Sequence, residues 1–183
     1  MKTTLIAAFF LLCAPIFAQV SDDAAKLALQ VQNKKDALDA FRNGDQTTGL
    51  AKLTGNVSKD AKAPKEEIQM VAQLTEATYW LANERHPRAA EIALLTIAQT
   101  ENSRTKLTPS EEASALSRSG ELYERVVGDP VKAKASYEAA LQRDNAQPTA
   151  LRGLAKLRAL QALVETKARE NDALRARAQN PIR

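Results

Sequence analysis

The sequence is poorest in the residues that carry most enzyme chemistry. Its 183 residues include one His, His86, and one Cys, Cys13. A metal centre or a nucleophile–base pair draws on several such side chains or on clustered carboxylates, so the expectation is a non-enzymatic chain with no catalytic residue, metal or cofactor. His86 stands in Glu84-Arg85-His86-Pro87 and reads as a turn residue. Six Gly and seven Pro exclude a collagen or a low-complexity tract, and aromatics are only 4% of the chain. No run of alternating residues argues for a strand. What remains is 44% hydrophobic and 26% charged, a balance that suits one ordinary folded domain rather than disorder and leaves binding as the class of job.

One apolar run is present, from Leu5 to Phe17. It follows Lys2, ends at Ala18-Gln19 and is shorter than the roughly 20 residues that span a bilayer. The expectation is a signal peptide over residues 1–18 and export to a periplasm or the extracellular space, with no transmembrane span in the mature chain. Removing 18 of 183 residues leaves 165 and takes Cys13 with it, so disulfides would hold nothing together.

Beyond the run the dominant period is helical. Ser21 with Asp22-Asp23 is expected to open a helix carrying Leu27, Val31, Leu38 and Phe41, closed by Asn43-Gly44. A short segment around Leu50 and Leu53 follows, then a loop from Val57 to Ala63. Pro64 starts a helix with Ile68, Val71, Leu74, Ala77 and Leu81, stopping near Asn83 to Arg85. Pro87 restarts the pattern with Ala90, Leu94, Ile97 and Ala98, and Gln99 to Leu107 reads as a polar loop. Thr108-Pro109-Ser110-Glu111 is a capping box, Asp129-Pro130 caps the next helix, and Pro148 begins a last helix of roughly 25 residues or more. The fold class expected is all-α, in antiparallel hairpins: an N-terminal pair and loop over 19–63, hairpins over 64–147, and a long basic helix and tail over 148–183. Of the aromatics, Tyr79 or Trp80 is expected in the core. Asn56-Val57-Ser58 is a glycosylation sequon in the expected loop.

The stretch Leu116, Gly120, Tyr123, Ala133, Tyr137, Ala140 and Leu141 resembles a tetratricopeptide repeat, with small residues where two helices cross closely and large ones around them. Ten residues separate Tyr123 from Ala133, one more than the family spacing. Leu151, Leu154 and Ala155 restate the first half at an offset of 35, and Ala77, Trp80, Ala90, Leu94 and Ile97 lie on the same template upstream. The resemblance implies a short superhelix that binds a protein or peptide on its concave face, a scaffold role. On that template the groove-facing residues are Ser117, Glu121 and Glu124 in one repeat and Arg152, Lys156 and Ala159 in the next. Arg152 and Lys156, one turn apart, would hold a partner's carboxylate, resembling the carboxylate clamps of some members of the family without their asparagines.

From Arg152 onward eight basic residues face three acidic ones, while Gln19 to Leu151 is slightly acidic. No aromatic residue lies in that tail for base stacking, so nucleic acid is not expected as a partner. An acidic protein partner or an anionic envelope surface is. The alternative function is a structural envelope protein that self-associates through the last helix, where Leu157, Leu160, Val164 and, after Lys167 and Asn171, Leu174 form a broken heptad-like seam.

Overall fold

A computed structural model describes residues 4–56, 63–104 and 107–179, apart from the side chains of residues 4–22, 63–67 and 178. All regular structure among these residues is helical, in seven helices packed against neighbours, so the chain is all-α. It divides into two compact units, Met1–Arg88 and Ala89–Arg183.

The first unit holds α1 (Thr4–Arg42), α2 (Gln46–Thr54) and α3 (Ala63–Asn83). The backbone of α1 is helical from Thr4, so Ser21 does not open it. Leu27 and Val31 are exposed, and the packed part of the helix begins near Ala37. Gly44 adopts a left-handed φ of 83° between α1 and α2, and Asp45 caps α2 by accepting from the Thr48 N–H at 2.9 Å. That tight corner lays Gly49 against the fully buried Phe41. The core continues through Leu53, Val71, Leu74, Ala77 and Leu81. Around it Arg42 forms a two-pronged pair with Glu84, and Lys34 pairs with Glu76 at 2.7 Å. Asn56, the sequon residue, donates to the Gln30 carbonyl at 3.0 Å and accepts from Asn33, so its amide is committed to α1. Residues 57–62, most of the expected loop, lie outside the described residues. Trp80 is 54% exposed and Tyr79 half-buried, so neither aromatic is a core residue. His86 is a turn residue as expected, its Nδ1 accepting from the Arg88 N–H at 3.3 Å.

The second unit holds α4 (Ala89–Ser103), α5 (Pro109–Leu122), which runs on into a π-helical turn (Tyr123–Val127), α6 (Pro130–Arg143) and α7 (Pro148–Gln179). In α4 the buried face is Ala89, Ile92, Ala93, Thr96, Ile97, Thr100 and Ser103, whereas Leu94 and Ala98 are exposed. The expected polar loop from Gln99 is therefore helix as far as Ser103. Its hydroxyls are satisfied inside the helix: Thr96 donates to the Ile92 carbonyl, Thr100 to Thr96 and Ser103 to Gln99. Of the upstream template residues, Ala77 and Ile97 are buried in their own units, whereas Trp80 and Leu94 are exposed.

Glu112 ties three helices together: its carboxylate, whose side chain is 12% exposed, meets Arg104 after α4 at 2.9 Å and Arg143 at the end of α6 at 2.9 Å. The start of α5 is the capping box expected. Thr108 N–H donates to Glu111 Oε2 at 2.9 Å, and the Glu111 N–H donates back to Thr108 Oγ1 at 3.4 Å. The Thr108 backbone N–H, then its hydroxyl, holds the Glu111 carboxyl below the ordinary carboxylate range. A depressed folded value means the cap supports the fold above the unfolded value, about 4.3, and loses that support as pH falls through the lower folded one. Thr108→Ala should cost about 0.5–2 kcal/mol at neutral pH. Glu111→Gln should differ from the parent at pH 7 and converge with it in acid, as followed by urea unfolding across pH.

Candidate partner-binding recess

Tyr137 of α6 organises the second unit. Its ring lies between α5 and α7, and each of those helices offers a glycine to it: a Cβ built on Gly120 would fall 2.5 Å from Tyr137 Cε1, and one on Gly153 would fall 2.3 Å from Cζ. Only residues without a side chain allow such an approach. Leu116, Ala133, Ala140, Ala150 and Leu154 complete this core, with Tyr123 and Leu157 packed on its edge.

This packing corrects the register. Leu116, Ser119 and Gly120 are buried in α5, and in α7 the matching buried set is Ala150, Gly153 and Leu154, an offset of 34 and not 35. Leu151 and Ala155 are exposed. The extra residue between Tyr123 and Ala133 is absorbed by the π-helical turn, a widening of the helix by one residue, which ends on Gly128 with a left-handed φ of 77°. Because the period stays at 34, the same residue is given back in the short α6–α7 connection, where Gln147 Oε1 accepts from the N–H groups of Thr149 and Ala150.

On the wet side of the ring is an open recess of about 350 Å³, lined by Glu121, Glu124, Arg125, Tyr137, Thr149, Arg152, Gly153 and Lys156. Four of the six template positions, Glu121, Glu124, Arg152 and Lys156, are thus brought together. Ser117 is not: it is buried, and its hydroxyl donates to the Ala113 carbonyl at 2.8 Å. Ala159, the remaining template position, is exposed beyond the recess on α7. Arg125 and Thr149 were not marked by the template. Arg125 belongs to the π-helical turn, whose altered phase no simple 3.6 period reports.

The electrostatics also differ from a bare cationic clamp. Glu124 is 10% exposed; it forms an ion pair with Lys156 and accepts from the Tyr137 hydroxyl at 3.0 Å. Lys156 is therefore engaged by the chain's own carboxylate. Arg152 stands one turn back with its guanidinium near the Pro148 carbonyl, at 3.4 Å, and pairs with no carboxylate among the described residues. With Arg125, Arg152 and Lys156 against Glu121 and Glu124, the recess has a formal excess of one positive charge.

Compared with protein-family models, curated proteins and solved structures, the chain matches none. Among the described residues no helix is long and apolar enough to cross a membrane, and no group of His, Cys, Asp and Glu could hold a metal ion.

Proposed function

We propose that the chain is an exported, non-catalytic binding module of tetratricopeptide type, whose second unit receives an acidic segment of a protein partner in the recess beside Tyr137. The observation that carries this reading is the recess itself: a rigid floor formed by one ring between two glycines, walled on α7 by two cations one turn apart. A ligand carboxylate meeting Arg152 there would also lie near Lys156, and Glu124 would share Lys156 with it. Charge-assisted hydrogen bonds of this kind are the stronger ones. Export is supported by the Leu5–Phe17 run and by the small residue before Gln19. An envelope protein that self-associates is favoured by one observation, the exposed length of α7.

Arg152→Glu tests the binding reading while keeping both residues of the Glu124–Lys156 pair in place. It should weaken capture of the partner from the host's own envelope fraction, and capture should fall with added salt in the parent. Stability should change by less than about 1 kcal/mol, since the side chain is exposed. Charge reversal at Lys156 is a poorer test, because it would set two carboxylates against each other at Glu124. Undiminished capture by Arg152→Glu at low salt would remove the recess as the site.

A further inference from the structure

From Arg158 to Arg177 every side chain of α7 is exposed, about 30 Å of helix at 1.5 Å per residue. The exposed residues include Leu160, Leu163, Val164 and Leu174, the last two 67% and 61% exposed. A helix supported by nothing along its side is marginal in water. Among the described residues the local support on this length is slight: a Lys167–Glu170 pair at 3.0 Å, a hydrogen bond from Gln161 to Glu165 and one from the Thr166 hydroxyl to the Ala162 carbonyl.

Counted in sevens, Leu157, Val164 and Asn171 share one seam position, and Leu160, Lys167 and Leu174 share the other. Leu157 packs against the chain's own core, so the seam left for a neighbour starts at Leu160. We propose that this seam binds the same seam of a second copy, antiparallel, about a two-fold axis near Arg169.

Charge selects both the partner and the direction. In a parallel pair Lys167 would face Lys167 in the middle of the contact, a like-charge layer. In the antiparallel pair Val164 lies opposite Leu174 of the second copy, and the same register sets Lys167 opposite Asn171. An isologous contact makes each of these pairs twice. Glu170 flanks the seam at its centre, so two ammoniums and two carboxylates meet there and cancel, with the apolar pairs on either side. The complementarity is contained within one sequence, which is why a second copy is the occupant. The pairing is independent of the recess, whose residues lie nearer the start of α7.

The full chain should sediment as a dimer that dissociates on dilution. Val164→Asp and Leu174→Asp should each give a monomer that loses helical signal only from the unsupported end of α7 and keeps the parent's core unfolding transition, since both side chains are exposed in the single chain. Direction is read by cross-linking in a Cys13→Ser background. Val164→Cys chains mixed with Leu174→Cys chains should form a mixed disulfide on mild oxidation, whereas neither variant should cross-link to itself. A parent chain that stays monomeric at its highest soluble concentration, an oligomer that survives both Asp substitutions, or self-linking of the Val164→Cys chain would each overturn the proposal. Arg152→Glu should leave the dimer intact, so failure of the recess and failure of the seam are told apart.

Discussion

Gly153→Ala should destabilise the second unit by about 1–3 kcal/mol, the usual cost of overpacking a filled core, and Gly120→Ala should do the same. The sign is the informative part. Helix propensity alone favours Ala over Gly by about 1 kcal/mol, so a glycine facing solvent would give the opposite result. Here each added Cβ meets Tyr137 ring carbons, at 2.5 Å from Gly120 and 2.3 Å from Gly153, and the ring cannot retreat from one glycine without closing on the other. Since both substitutions act through one ring, their costs should not simply add. Tyr137→Leu should be harmful in the parent, where it leaves a void and removes the hydroxyl that donates to Glu124. In the Gly153→Ala background it should cost markedly less. Thermal unfolding of the four proteins of this cycle provides the check, and a stabilised Gly153→Ala variant would contradict the packing described.

The largest loss in the first unit should come from Phe41→Ala, at about 3–5 kcal/mol. Phe41 is fully buried where α1 turns into α2, and Gly49 of α2 leaves room for it: a Cβ there would fall 2.3 Å from Cε1. Few large residues share that core, chiefly Leu53, Leu74 and Leu81, so little is available to refill the space. The loss is a large part of an ordinary domain's 5–15 kcal/mol. Limited proteolysis should then cut within α2 and the second half of α1 at denaturant concentrations the parent withstands. A cleavage pattern like the parent's would show that Phe41 is not the centre of that core.

The helices were legible where their ends carry chemistry of their own. Thr108 to Glu111, Asp129-Pro130, Pro148 and Asn43-Gly44 each satisfy or delete particular backbone groups, and such signals do not depend on distant parts of the chain. Gly120 was legible through the repeat template, which sets a small residue where two helices cross closely. Gly153 meets the same Tyr137 ring, but the 35-residue offset puts Ala155 at that position instead. The error has a physical origin: an inserted residue need not persist to the next repeat when a π-helical turn absorbs it and a short loop repays it. The polar run of α4 was misread because Thr96, Thr100 and Ser103 bond to their own helix, which lets hydroxyl residues occupy a buried face. Leu27, Val31, Trp80 and Leu94 were placed inward by hydrophobicity alone, and periodicity does not say whether a neighbour exists to cover them. At the recess, four template positions line one hollow, although the phase of the template in α7 differs from the packing. The pairing of Lys156 with Glu124 lay beyond any pattern, because it depends on the depth at which Tyr137 holds the carboxylate.

The length of α7 has a consequence for valency. In the proposed antiparallel pair each recess would lie near Gly153 and the axis near Arg169, which would set two recesses roughly 50 Å apart along a straight helical strut. A partner with one acidic segment would fill either site at its intrinsic strength. A filament, a dimeric partner or a surface with repeated acidic segments would engage both, and the second attachment would then occur at the high effective concentration set by the strut instead of that of free solution. Weak recesses would in this way yield a grip that depends on the spacing of the target.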